Sequence, residues 1–224
     1  MNGAYQMVFD SLRDNIKNCR ECIPANCHCP PLHFECKSPD KVKILVISEQ
    51  PMETDNVITE DTIKEYLQGK RRGSPTISDI ANLFSEKYIN SILRDEGTFY
   101  WTHHTKCPSS KGKSTQNKCP KKWLYKEITA FSNLKYIITI GSSAHEAIMQ
   151  LAGCDPDLIN TLWKEFESVI LNKYDVKKIN ANIINIHGKE FDYISLPHTT
   201  GQNPLSYFIP YLNPLIKKAE EAVW

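Results

Sequence analysis

The chain has 224 residues, 27 lysines and arginines against 26 acids, and a formal charge of +1. That length suits one large domain or two small ones, and its 41% hydrophobic content can build a sizeable core. The near-even charge neither demands nor forbids a nucleic-acid partner, because a local basic patch is enough, and the lack of any apolar run long enough to span a membrane excludes a membrane-spanning helix.

In chain order, Tyr5, Val8, Phe9, Leu12 and Ile16 recur at helical spacing and predict an opening amphipathic helix. A loop rich in Cys and Pro follows from Asn18 to Asp40. The apolar run Val42 to Ile47 is a buried parallel strand, ended by Ser48-Glu49-Gln50-Pro51. Thr62 to Leu67 and Ile77 to Leu93 read as helices. Thr98 to Thr102 is a second strand running into His103-His104, and Trp123 to Leu134 is a helix. Tyr136 to Ile140 is a third strand, closed by Gly141-Ser142-Ser143 before a helix from Ala144, a small-residue turn whose helix start suits an anion. Leu158 to Tyr174 is helical, Ile183 to Ile186 and Tyr193 to Leu196 are short strands, and a Pro-interrupted helix from Leu205 to Val223 closes the chain. Strands alternating with helices predict a three-layer α/β/α domain over residues 1–224, with a central mostly parallel sheet of about four strands.

Glu49-Gln50, His103-His104 and His198 each follow a strand. In an open α/β sheet, ligands bind outside the carboxyl ends of the strands, so these clusters should converge on one crevice.

The eight cysteines point to metal. The stretch Met1 to Arg20 has no signal-peptide core, so the expected location is the cytoplasm, associated with the nucleoid and not secreted. There, cysteines ligate metals more than they form disulfides. Cys19 and Cys22 form a C-x2-C pair, and Cys107 and Cys119 a wider one. Four thiolates from two distant segments suit tetrahedral zinc or a four-iron cluster. A local zinc site drawn from Cys19, Cys22, Cys27, Cys29 and Cys36 is the other arrangement open to this sequence. The segment around the second pair carries Lys106, Lys111, Lys113, Lys118, Lys121 and Lys122 without an acid. Such a run is an ordinary solvated face or, pinned by a metal, a grip on phosphates.

Several motifs are absent. The chain has neither nucleotide-phosphate glycine loop and no G-x-S-x-G elbow, and His145-Glu146 is not followed by the zinc-protease His. His33-Phe34-Glu35 lacks the P-C-x-x-C that a zinc deaminase requires.

Taken together, the C-x2-C pair, the strand ending in Ser48-Glu49-Gln50-Pro51, Thr105-Lys106-Cys107-Pro108, Cys119, the segment ending Ile140-Gly141-Ser142-Ser143-Ala144, and Leu196-Pro197-His198 form an ordered set. This order resembles the iron–sulfur family 4 uracil-DNA glycosylases and their relatives in the uracil-DNA glycosylase superfamily, from Cys19 to His198. The family's G-E-x-P-G stands here as Ser48 to Met52, keeping Glu and Pro; its late H-P-S keeps only His198; its base-reading Asn falls on His103. The resemblance implies a DNA glycosylase acting as a monomer on a flipped deaminated base, uracil foremost, in single- or double-stranded DNA. It implies a structural 4Fe-4S cluster on Cys19, Cys22, Cys107 and Cys119, with zinc as the alternative. Glu49 would orient the water that attacks C1′, and His198 would steady charge on the departing base. Gln50, Pro51, His103 and Ser142 would surround the base. Lys106, Lys111, Lys113, Arg71, Arg72 and Thr199 would hold the DNA. Two further readings are a metal-containing nucleic-acid binder that keeps the fold without the chemistry, and a covalent trap for uracil-DNA.

Overall fold

The computed structural model describes residues 2–21, 36, 38–49, 65, 68, 84–86, 89–90, 99–106, 119–160, 163–164, 182–198 and 213–223. Its centre is a five-stranded sheet in the order β2-β1-β3-β5-β4, where β1 is Ile44–Ser48, β2 Phe99–His103, β3 Tyr136–Ile140, β4 Asn182–Ile186 and β5 Lys189–Leu196. Four strands run parallel, and β4 pairs antiparallel with β5. All five strands are ones read from the sequence, so the sheet exceeds the expected count of about four by one. The expected strand Ile183 to Ile186 joins it as β4, the outer arm of a hairpin whose loop, His187-Gly188, takes positive φ at both residues, as a type I′ turn requires. The Asn185 side chain accepts the Gly188 N–H at 2.8 Å and fixes that turn.

The burial pattern explains the order. Every residue of β1 and β3 is buried, so these unbroken apolar runs can only be central strands covered on both faces. β5 opens on two exposed residues, Lys189 and Glu190, where it pairs with the edge strand, and is mostly buried from Phe191 onward. Four helices are described from end to end, α1 Asn2–Lys17, α2 Tyr125–Ala130, α3 Ser142–Leu151 and α4 Asn213–Val223, and residues 156–160 and 163–164 are also helical. A single π-helical turn, Pro120–Leu124, leads into α2. The expected Trp123 to Leu134 helix thus starts earlier and stops at Ala130, where Phe131 turns to extended backbone.

α1 buries Phe9, Leu12 and Ile16 and leaves Tyr5 and Val8 exposed, so its apolar stripe is narrower than the sequence pattern. Phe9 packs edge-on to Tyr100 of β2 at 5.5 Å and against Phe131 at 5.4 Å. This aromatic contact seats the helix against β2 and the end of α2, and so places Cys19, which follows its last turn. Of the remaining expected helices, Thr62 to Leu67, most of Ile77 to Leu93 and most of Leu158 to Tyr174 lie outside the described residues. No helix among the described residues is long and apolar enough to cross a membrane.

From β1 the chain moves outward to β2, then returns past β1 to β3 on the other side. The carboxyl ends of β1 and β3 therefore form a switch point, where a crevice opens in this kind of sheet.

Candidate active site

Glu49 follows β1 and Gly141 follows β3, so both stand at the switch point. Gly141 has φ 90° and ψ 158°, a conformation essentially reserved for glycine. A Cβ built there would lie 2.9 Å from Glu49 Oε1. The absent side chain is therefore the space in which the carboxylate rests. Gly141 is also the N-cap of α3, so the carboxylate sits against the positive end of that helix. The Gly141 N–H donates to Leu196 O at 2.9 Å, which locks this turn to β5.

His198 comes two residues after β5. Its Nε2 is 3.9 Å from Glu49 Oε2. That exceeds hydrogen-bond distance, so the two heads face one another without a direct bond. Both remain partly open to solvent, with side chains 28% and 32% exposed. The sheet thus brings together the two residues that the sequence singled out as catalytic. Ser142, expected in the same site, is exposed in the first turn of α3, next to Gly141.

The β2 end is packed differently. His103 is buried, with Nδ1 2.5 Å from Ser48 Oγ and its ring 5.0 Å from that of Trp101, whose N–H donates to Ser48 Oγ at 3.1 Å. Burial, then the neighbouring Lys106 charge, holds its pKa well below the ordinary imidazole range. The expectation that His103 lines the open crevice is corrected: its ring lies inside the sheet edge. His104 and Thr105 continue the ladder, their N–H groups donating to Ser48 O at 2.9 Å and Glu49 O at 3.3 Å. His104 Nε2, Thr105 Oγ1 and His145 Nε2 are buried without a hydrogen-bond partner among the described residues. An unmet polar atom of this kind costs about 1–3 kcal/mol, so each calls for an explanation.

Lys106 overturns an expectation. It is not on a DNA-facing surface but 1% exposed. Its Nζ donates to Glu127 Oε2 at 2.5 Å, Thr102 Oγ1 at 2.5 Å and His103 O at 2.6 Å. All three ammonium protons are satisfied, and the charge is neutralised inside the protein. Thr102 in turn donates to Glu127 Oε1 at 3.1 Å. The signal available in the sequence was Thr102 four residues before the lysine and one acid, Glu127, on the apolar face of the next helix. Burial places Tyr100 at the same cluster, with its hydroxyl pKa raised first by desolvation and then by Glu127.

On the other side of α3, His145 Nδ1 is 2.7 Å from the Tyr193 hydroxyl, which is 2.7 Å from Thr139 Oγ1. This chain ties the first turn of α3 to β3 and β5, and burial lowers the His145 pKa to about 4.

Two of the expected metal ligands are described. Cys119 is buried, and its Sγ accepts the Lys106 N–H at 3.2 Å. That amide belongs to the residue preceding Cys107. Cys19 is half-buried at the end of α1, and Glu21, the residue preceding Cys22, makes an ion pair with Lys122 near Cys119. An amide donor aimed at sulfur favours a ligating thiolate, so the surroundings of Cys119 suit a ligand of a cluster or of zinc. Among the described residues no three His, Cys, Asp or Glu form a metal-binding group. Cys22, Cys107, Gln50, Pro51, Arg71, Arg72, Lys111, Lys113 and Thr199 lie outside the described residues. The chain matches no protein-family model and no curated protein.

Proposed function

We propose that the chain is a DNA glycosylase that hydrolyses the N-glycosidic bond of a deaminated base, uracil foremost, flipped out of DNA. The observation that carries this reading is the Glu49–His198 pair, drawn from two strand ends to 3.9 Å at the switch point of the sheet. Cleavage of an N-glycosidic bond leaves positive charge on the sugar and negative charge on the base. A carboxylate answers the first charge and orients water towards C1′; a histidine donor answers the second. Each interaction strengthens as the bond breaks, which is the requirement for lowering the barrier. The base must leave the stack to reach these groups.

A four-iron cluster, with zinc as the alternative, would be held by Cys19, Cys22, Cys107 and Cys119, and supplies a cross-link between segments without taking part in bond cleavage. With Lys106 internal, phosphate contacts fall to Lys111, Lys113, Arg71, Arg72 and Thr199, together with the exposed Lys121. The second reading, a binder without chemistry, is favoured by one observation: His103, in the position of the family's base-reading Asn, has its Nδ1 against Ser48 Oγ.

The test is incubation of the purified, metal-loaded protein with uracil-containing single- and double-stranded oligonucleotides, followed by alkali. Strand scission that disappears in Glu49→Ala and His198→Ala supports the enzyme. Retention of the oligonucleotide without scission supports the binder, and a complex that survives denaturation supports the trap.

A further inference from the structure

α2 and the π-helical turn before it direct Trp123, Leu124, Glu127 and Ile128 into the core. Lys121, Lys122, Tyr125 and Lys126 fall between these positions as two pairs four residues apart, so they share the outward face. Lys121 and Lys126 are exposed, and Lys122 and Tyr125 are half-buried. The Lys122 ammonium lies 4.8 Å from the centroid of the Trp123 ring and that of Lys126 lies 5.2 Å from it, which holds both heads to this face. Glu21 pairs with Lys122, and Glu127 is buried against Lys106. Neither acid therefore cancels the charge of Lys121 or Lys126, which form no ion pair among the described residues.

The tip of the β4–β5 hairpin adds a ring to this face. Among the described residues His187 is the only non-glycine with positive φ, 51°, at a turn position that Asn, Asp or Gly ordinarily fills. The Asn185 side chain, not the imidazole, fixes that turn. The imidazole is exposed and meets the Tyr125 ring at 4.5 Å between centroids, tilted by 46°. The result is a surface of two rings beside the ammonium groups of α2. Glu190 is exposed just past the tip and offsets part of their charge. This surface is separate from the crevice: β5 starts beside the tip at Lys189 and rises about 23 Å to Leu196, two residues before His198.

We propose that the outward face of α2 and the β4–β5 tip form a platform for single-stranded nucleic acid, with phosphates on Lys121 and Lys126 and a base against the Tyr125–His187 rings. A phosphate backbone complements the ammonium groups. In a duplex the base faces are covered by their own stacking, so a single strand is the form that offers a π-face to the rings. An acidic polypeptide would use the lysines and leave the rings idle. Binding here requires neither a damaged base nor the Glu49–His198 pair, so it stands or falls apart from base excision.

The test is fluorescence anisotropy of the metal-loaded protein with three labelled probes: an oligothymidylate of about ten nucleotides, a sugar-phosphate strand of the same length without bases, and polyglutamate. Wild type should bind the oligothymidylate about tenfold more tightly than the baseless strand. His187→Asn, which keeps the preferred Asn-Gly turn pair, should lose about that tenfold for the oligothymidylate and nothing for the baseless strand. Tyr125→Leu should do the same, and Tyr125→Phe, which retains the ring, should bind as wild type does. Lys126→Ala should reduce the slope of log K against log salt by about 0.7. Oligothymidylate affinity unchanged in both His187→Asn and Tyr125→Leu, or a baseless strand bound as tightly as the oligothymidylate, overturns the platform. Polyglutamate bound as tightly as the oligothymidylate overturns it in favour of an acidic-peptide surface.

Discussion

Gly141→Ala is the most informative single substitution, because its effect can be worked from the geometry at two levels. The backbone at φ 90° and ψ 158° is essentially closed to alanine, and holding it there costs about 1–3 kcal/mol. In a protein of this size that lowers Tm by about 2–4 °C per kcal/mol. The added Cβ would stand 2.9 Å from Glu49 Oε1, 3.1 Å from Cγ and 3.3 Å from Cδ, against an ordinary contact of 3.4 Å or more. The carboxylate must retreat by about 0.5 Å, and since a 1 Å misplacement can cost about 10²-fold in rate, base release should fall about tenfold. Gly153→Ala is the reference: Gly153 also has positive φ, 78°, but no described residue lies within 4 Å of the added Cβ. The paired assays are thermal unfolding and single-turnover release of uracil from an oligonucleotide. Gly141→Ala should lose both stability and rate, and Gly153→Ala stability alone. Equal rates in the two variants would refute the claim that Gly141 is small in order to seat Glu49.

Lys106→Met leaves Glu127 buried without its cation and should destabilise the protein by about 3–5 kcal/mol in chemical denaturation. The double variant Lys106→Met/Glu127→Leu should recover much of that loss, whereas equal loss in both variants would contradict the pairing. His104 and His145 are held neutral by burial, with pKa values lowered from 6.5 to about 4. The unfolded chain binds more protons in that window, so stability is full above pH 6.5 and falls as pH drops towards 4. Each histidine contributes up to about 3 kcal/mol to that fall, and His145→Gln should flatten the stability–pH curve measured by urea titration. Cys119→Ser should abolish bound iron and acid-labile sulfide, with loss of any broad visible absorbance; zinc retained in the wild type in place of iron would select the alternative metal.

How far the sequence carries depends on the kind of interaction. β3 was legible from Tyr136 to Ile140 because Gly141 ends an unbroken apolar run. β1 was legible for the same reason, displaced by two residues at its start. The convergence of Glu49 and His198 was legible too, since parallel strands place their carboxyl ends at one edge whatever the intervening chain does. Lys106 was misread because a lysine among lysines carries no local sign of burial, and its acceptors come from a strand, a backbone carbonyl and a helix that meet only in three dimensions. Gly141 read as an ordinary turn, because nothing local to it announces a carboxylate arriving from β1. His104 was noticed beside His103 but its unmet nitrogen is a property of packing, invisible before the Ser48 carbonyl and its neighbours are in place.

The account turns on whether the Glu49–His198 pair performs chemistry. The direct measurement is single-turnover detection of free base released from a uracil-containing oligonucleotide by wild-type protein, Glu49→Gln and His198→Ala, all metal-loaded and folded. Wild type should release uracil, with Glu49→Gln slower by about 10²–10⁴-fold and His198→Ala by about 10²–10³-fold. No release by wild type from any deaminated substrate, or release undiminished in both variants, would contradict it.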